Sequence, residues 1–243
     1  MSEQSPKHGQ GSERSIRSAE PGGQGSNDNV SHDVSHAEKA YARWAPLYDA
    51  VFTHVMRPGR RAIAAAANGR VAETGVRMLN VGVGTGLELP MFDRSFQITS
   101  IDLSEPMLEI ARKRVRDLAL SNVIELKAMD AHNLQYPDAG FDMAVAPYFV
   151  TIVPDPHRCL DEMARVVRPG GEIMLVNHIA AERGPIAWAE SLLAKVGPSL
   201  GWDPRFPWSV IGDWIDRRSD IELLERRTLV PLGMFSLIRL ARN

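Results

Sequence analysis

The chain has 243 residues, 44% of them apolar, and 28 Lys and Arg stand against 30 Asp and Glu for a net charge of −2. That length supports one sizeable core rather than two full domains, and the slightly acidic balance speaks against a nucleic-acid binder held by phosphate charge. A single cysteine, Cys159, excludes an internal disulfide framework and a multi-cysteine zinc site, and the scattered histidines show no ligand spacing, so no metal is expected.

Residues 1–35 are rich in Ser, Gly, Gln, Asn and Glu and are predicted to be a disordered tail, because they cannot bury enough apolar surface to offset their ordering entropy. The opening MSEQSPKHGQGSERS lacks the apolar core of a signal peptide. The longest charge-free apolar run, Met143–Val153, is about half the roughly 20 residues that span a bilayer. A soluble or peripheral intracellular protein is therefore expected.

A single ordered domain is expected over 36–243. Its first part, 36–75, reads as an N-terminal helical lid. Tyr41, Trp44, Ala45, Tyr48, Val51, Phe52, Val55 and Met56 recur at helical spacing. Pro46 suits the first position of a new helix. The pattern predicts two short helices broken at Ala45–Pro46 and ending before Pro58–Gly59, then a third over Arg60–Arg70.

From residue 77 strand-like and helical stretches alternate. Strands are expected at Arg77–Val83, Gln97–Asp102, Val123–Met129, Phe141–Ala146 and Glu172–His178, with helices at Leu87–Arg94, Glu105–Leu118 and Pro156–Val167. Strands separated by helices signal a parallel sheet of βαβ units. Ser104 is the expected N-cap of the second of these helices, and Met107, Leu108, Ala111, Val115 and Leu118 its buried stripe. Residues 183–218 hold Trp188, Trp202, Trp208 and Trp214 among several prolines, and read as a helical cap insertion after strand 5. Strands at Ile221–Thr228 and Met234–Leu240 then suggest an antiparallel hairpin at the sheet edge. The fold class is α/β: a Rossmann-like, seven-stranded, mostly parallel sheet with helices on both faces.

The informative stretch is Met78–Gly86, MLNVGVGTG, a strand entering a glycine loop. Gly82, Gly84 and Gly86 let the backbone approach a ligand and take positive φ. Their G-x-G-x-G spacing fails the dinucleotide fingerprint, and no Lys-Ser/Thr pair follows, so the phosphate-cradling loop fails too. Asp102 ends the second strand, the usual place for an acid that holds both ribose hydroxyls of a nucleoside. Asp130 and Ala131 end the third strand, within reach of an adenine amino group.

The set NVGVGTG, SIDLSEPML, AMDAHNL and the turn Val167–Gly171 resembles the class I S-adenosylmethionine-dependent methyltransferases over about residues 76–180. The resemblance implies S-adenosylmethionine as cofactor and S-adenosylhomocysteine as product. By it, Gly82, Gly84 and Gly86 line the methionine moiety, Asp102 holds the ribose, Asp130 and Ala131 face the adenine, and Leu103 and Met107 flank its ring. Ala146, ending the fourth strand, joins this set. The family often has Asp or Glu where this chain has Asn80, which keeps the hydrogen bonding but not the charge.

A narrower resemblance lies in Ala40–Asp49. Its pattern Y-x-x-W-A-P-x-Y-D is similar to that of bacterial, Rhodobacter-type phospholipid N-methyltransferases, as is Asn177–Pro185, NHIAAERGP. It implies stepwise methylation of phosphatidylethanolamine to phosphatidylcholine, a phospholipid substrate and an anionic membrane surface as partners, and a cytoplasmic enzyme peripheral to the inner face of the cell membrane. Quinone-ring C-methyltransferases, which share a looser form of the motif, are the alternative, and a non-catalytic cofactor-binding protein is a third reading. Tyr41, Trp44, Tyr48, Tyr148 and Phe149 can offer aromatic faces to a cationic amine. Tyrosine hydroxyls can orient its lone pair. His178 is the first candidate for its proton, with Tyr41, Tyr48 and bulk water as competitors. Arg183 can pair with the lipid phosphate. The cations Arg57, Arg60 and Arg61 are expected to face an anionic interface.

Overall fold

The structure, a computed structural model, describes residues 54–70, 75–180, 206–229, 233 and 235–243. All of them lie in the larger of two compact units, Glu38–Asn243. The expectations for the tail, the Ala45–Pro46 break and most of the cap insertion lie outside the described residues.

Five strands run parallel: β1 (Arg77–Val81), β2 (Gln97–Asp102), β3 (Val123–Ala128), β4 (Phe141–Pro147) and β5 (Val167–His178). A closing hairpin adds β6 (Ile221–Leu229) and β7 (Phe235–Arg242), both antiparallel pairings, in the order β3-β2-β1-β4-β5-β7-β6. The hairpin thus lies at the sheet edge as its sequence suggested, with β7 between β5 and the edge strand β6. β1 has β2 on one side and β4 on the other, so the direction of winding reverses beside it. In such sheets ligands bind outside the carboxyl ends of the strands at that reversal.

Alternation along the strands decides which helices cover which face. Met78, Val145, Met174, Val176 and Leu237 pack with Ile63, Ala64 and Ala67 of α1 (residues 54–68) and with Leu108 of α2 (Glu105–Asp117). Leu79, Val81, Ala144, Ile173 and Ile238 pack on the other side with Cys159, Leu160 and Met163 of α3 (Pro156–Val166) and with Ile211 and Trp214 of α4 (Ser209–Asp216). The lone Cys159 is fully buried there, and burial pushes its thiol up to about 12.

Several local expectations are corrected. α1 runs without a break through Pro58 and Gly59. Proline's fixed φ is itself helical and removes only one donor. Gly59 serves the packing: a Cβ there would meet the hydroxyl of Tyr148 and, at 2.7 Å, Cγ1 of Val176 on β5. Of the helix expected over Leu87–Arg94, only a single 3-10 turn forms, Leu89–Met91. The side chain of Asp93 ends it by accepting from the backbone N–H of Ser95 at 2.8 Å, a turn that competes with helix. Leu118 is the C-cap of α2 and half exposed rather than part of its buried stripe. Ala119 beyond it has φ of 45°, which turns the chain away. β5 starts at Val167, yet its register on β4 jumps from Phe141↔Val167 to Met143↔Glu172. Arg168–Gly171 therefore bulges out where a turn was expected.

The Gly59 contact yields a signed test. Alanine would gain about 1 kcal/mol of helix propensity over glycine, whereas overpacking costs about 1–3 kcal/mol. Because β5 and the Tyr148 ring both stand in the way, Gly59→Ala is expected to lower the melting temperature. A temperature at or above wild type in a thermal melt would show that α1 does not pack this closely.

Candidate active site

β1 delivers the chain into the loop 82–86, whose three glycines all have positive φ: 71°, 52° and 73° for Gly82, Gly84 and Gly86. Two of these positions need glycine for different reasons. At Gly82 a Cβ would strike the Phe149 ring, with Cγ at 2.9 Å, so the loop lies directly on the segment after β4. At Gly84 a Cβ would meet nothing within 4 Å. The loop is open there, with its backbone accessible to a ligand.

Asp102 ties this loop to β2. Its Oδ2 accepts from the Gly84 N–H at 2.7 Å and its Oδ1 from the Ser104 N–H at 2.9 Å. Burial pushes the carboxyl up, and the N–H groups of Ser104, Gly84 and Leu103 offset only part of that. Ser104 is the N-cap of α2 as expected, although its hydroxyl makes no cap bond and its own N–H is held by Asp102. Each Asp102 oxygen keeps a lone pair for a further donor. Leu103 beside it is 62% exposed, while Met107, on the first turn of α2, is buried.

After β3, Asp130 is exposed and its Oδ1 receives two bonds from His132, from the backbone N–H at 2.9 Å and ring Nδ1 at 2.6 Å. Partial burial pushes its carboxyl up, but His132 and the Arg158 charge more than offset this and hold it below the ordinary value. Ala131 and Ala146 are buried at the ends of β3 and β4.

Tyr148, immediately after β4, has φ of 60°, a left-handed conformation that a bulky residue rarely adopts. Its N–H donates to the Val176 carbonyl at 2.6 Å and its hydroxyl to the Met56 carbonyl of α1 at 2.8 Å. The Arg60 guanidinium lies 5.7 Å from its ring centroid. The hydroxyl and a ring face expected to meet substrate thus serve α1 in this structure. Phe235 links Tyr148 to His178: its centroid is 5.0 Å from one ring and 6.4 Å from the other, both edge-on. His178 is buried at the end of β5.

The fold therefore gathers Asn80, Gly82, Gly84, Gly86, Asp102, Leu103 and Met107 at the carboxyl ends of β1 and β2. Asp130 with Ala131, Ala146 with Tyr148, and His178 follow β3, β4 and β5. Tyr41, Trp44, Tyr48 and Arg183 lie outside the described residues. Sequence reasoning missed Glu88, buried against Asn80, and Asn177, whose fully buried amide has neither Nδ2 nor Oδ1 bonded. The sequence signals were a lone acid inside an apolar turn and an Asn ending an apolar strand. Arg60, expected at an interface with lipid, is only 6% exposed and sits 3.9 Å from Glu88.

These residues fit S-adenosylmethionine. The loop leaves room in front of Gly84, Asp102 keeps acceptors for ribose hydroxyls, Leu103 presents an apolar surface for a base, and Asn80 Oδ1 is buried without a partner. Asp102→Ala is expected to weaken S-adenosylhomocysteine by about ten- to hundredfold or more, since hydrogen bonds to a charged group contribute about 1.5–3 kcal/mol. Calorimetry giving wild-type affinity would remove Asp102 from the site, and a melt on the same sample separates lost binding from lost fold.

Comparison with known proteins agrees with this geometry. Residues 79–175 match the family model described as a methyltransferase domain. The chain is 41% identical over 211 residues to the phosphatidylethanolamine N-methyltransferase of Cereibacter sphaeroides, covering 87% of this chain and 100% of that one. It is 36% identical over 107 residues to the demethylmenaquinone methyltransferase of Desulfitobacterium hafniense (strain Y51), 42% of either chain. Among solved structures, the YcgJ protein from Bacillus subtilis superposes with a TM-score of 0.62 at 17% identity, over 76% of this chain and 97% of that one, a likeness of fold alone. The chain belongs to the S-adenosylmethionine-dependent methyltransferases, in the group that includes the phosphatidylethanolamine N-methyltransferase of Cereibacter sphaeroides.

Proposed function

We propose that this methyltransferase transfers methyl groups to the amine of phosphatidylethanolamine and of its mono- and dimethylated forms, giving phosphatidylcholine. The observation that carries this reading is the extent of the likeness. The phosphatidylethanolamine enzyme aligns over its whole length, far beyond the shared 79–175 domain, whereas the demethylmenaquinone enzyme aligns over 42%. One fold hosts many activities, so likeness that extends beyond the shared domain is what bears on the substrate.

S-adenosylmethionine, when bound, supplies an electrophilic methyl on a sulfonium. The chain's own tasks are to hold the amine in line, to keep water away, and to take up a proton from the substrate ammonium. His178, buried beside Phe235 and across it from Tyr148, is the proposed proton acceptor, with Tyr41 and Tyr48 in competition. Trp44 with these tyrosines would offer aromatic faces to the ammonium, and Arg183 would pair with the phosphate. Such positioning accounts for much of the rate in group transfer.

The assay that decides is transfer of labelled methyl into defined acceptors. Label is expected in the mono-, di- and trimethylated lipids. Label in a demethylquinone, with none in lipid, would overturn the proposal in favour of carbon methylation.

A lipid substrate also calls for contact with a bilayer surface. Among the described residues no helix is long and apolar enough to cross a membrane. The start of α1 instead exposes His54, Val55, Arg57 and Arg61, and the loop after β4 exposes Ile152. An apolar residue flanked by cations suits an anionic interface at the inner membrane face. Arg60 is withdrawn from this set by its burial. With each cation contributing about 1 kcal/mol near such a surface, Arg57→Gln with Arg61→Gln should weaken binding to anionic vesicles about tenfold or more, and high salt should weaken the wild type alike. Unchanged sedimentation of the double variant would make these arginines an ordinary solvated face.

A further inference from the structure

We infer that Glu88 supplies the negative charge that holds the α-ammonium of the cofactor, acting as a positioning residue through Asn80. Nδ2 of Asn80 donates to Oε1 of Glu88 at 2.8 Å across eight sequence positions. That bond closes the base of the loop carrying Gly82, Gly84 and Gly86. With one N–H of this amide engaged by Glu88, its unpaired oxygen is an acceptor that it can present to a ligand. Asn80 Oδ1 is buried without a donor, and Oγ of Ser100, the register partner of Asn80 on β2, is also buried without one. Buried acceptors left unpaired are costly, and native sites with such atoms need a group to complete them.

The charges around Glu88 do not fill that need. Glu88 is 2% exposed. From α1, Nε of Arg60 stands 3.9 Å from Oε2, an ion-pair separation too long for a hydrogen bond. From α2, Arg114 adds its positive charge, its guanidinium bonding the Thr85 carbonyl. Burial pushes the Glu88 carboxyl up despite Asn80 and both cations. A glutamine could keep the Asn80 bond without burying a charge, so a role in stability alone does not account for the acid. The α-ammonium of S-adenosylmethionine is the group at this end of the cofactor that has both a positive charge and donors to spare. It can donate to Asn80 Oδ1 while the carboxylate behind the amide stabilises its charge.

The inference rests on the cofactor, not on the lipid, so an enzyme with another acceptor would leave it standing. The test uses the full chain and two ligands measured by calorimetry. S-adenosylhomocysteine carries the ammonium without a sulfonium charge, and 5′-methylthioadenosine lacks the amino-acid end altogether. Glu88→Gln is expected to melt no lower than wild type at pH 7. It should lose about tenfold or more in S-adenosylhomocysteine affinity, because the ammonium loses the carboxylate charge behind Asn80, with methylthioadenosine affinity unchanged. Moving the charge forward, Asn80→Asp combined with Glu88→Gln, should restore S-adenosylhomocysteine binding to within a few-fold. Wild-type affinity in Glu88→Gln would overturn the inference. So would equal losses for both ligands with a lowered melting temperature, which would make Glu88 an anchor for α1 through Arg60. A well-folded double variant that fails to recover would overturn it too. A wild type that binds neither ligand would instead overturn the cofactor assignment.

Discussion

The structure around the site depends on one carboxylate bridging two strand ends. Asp102 accepts from Gly84 on the loop after β1 and from Ser104 at the start of α2, so the loop, β2 and the helix are fixed relative to each other by a single side chain. The loop cannot hold its shape by propensity: three positive-φ glycines in five residues have a large conformational entropy to lose. Bonds from the Gly82 and Val83 N–H groups to the Ile101 carbonyl, at 2.9 and 3.0 Å, secure its entry. The Asp102 bond secures its middle. What remains unbound are the faces of Asp102 and of Gly84 that a nucleoside can use.

Among the described residues, two contrasting sets of carboxylates stand out. Those away from the loop, such as Asp142 with Arg168 and Arg77, Glu162 with Arg165, Asp220 with Arg218 and Glu225 with Arg227, are bound by guanidinium groups and held below their ordinary values. Most are partly exposed pairs, each of small net worth. Asp102 and Glu88 are the reverse. They are raised by burial, and the groups that hydrogen-bond them are uncharged: backbone N–H groups for Asp102 and the Asn80 amide for Glu88, with Arg60 only at ion-pair distance. Polar groups are left with unfinished electrostatics where a ligand is due to finish them.

Much of this architecture was legible in the residues. The strand alternation from Arg77, the glycine spacing and an acid at the end of β2 are local patterns, and the structure places the Rossmann-like sheet and its loop accordingly. The failures came where packing across the sheet overrides local rules. Pro58–Gly59 reads as punctuation, yet here it lets α1 pass close to Tyr148 and Val176. Leu87–Arg94 has the composition of a helix, yet Glu88 turns inward to Asn80 and Asp93 closes a turn, which leaves a single helical turn. Arg60 carries the same letters as Arg57 and Arg61, and only the fold reveals that one of the three points inward. Periodicity marks apolar faces, but it does not say which polar side chain is turned into a site.

The two raised acids also set how stability and binding trade against pH. An acid whose folded value lies above its unfolded one, 3.8 for Asp102 and 4.5 for Glu88 as ordinary references, contributes stability that is fully present below those values. That stability is lost as pH rises through the raised folded values, because the folded state then must hold a buried charge. The paired peripheral acids act oppositely, stabilising the fold above their ordinary values and losing that contribution in acid. The periphery and the cofactor loop therefore respond to rising pH with opposite signs. A cation placed beside Asn80 would favour the ionised form of Glu88 and so offset the cost of its burial. Replacing Glu88 by glutamine would relieve this cost in the empty protein at the expense of the site, the trade-off expected where function keeps a costly group; Asp102 cannot be spared in the same way, because its two bonds hold the loop to α2.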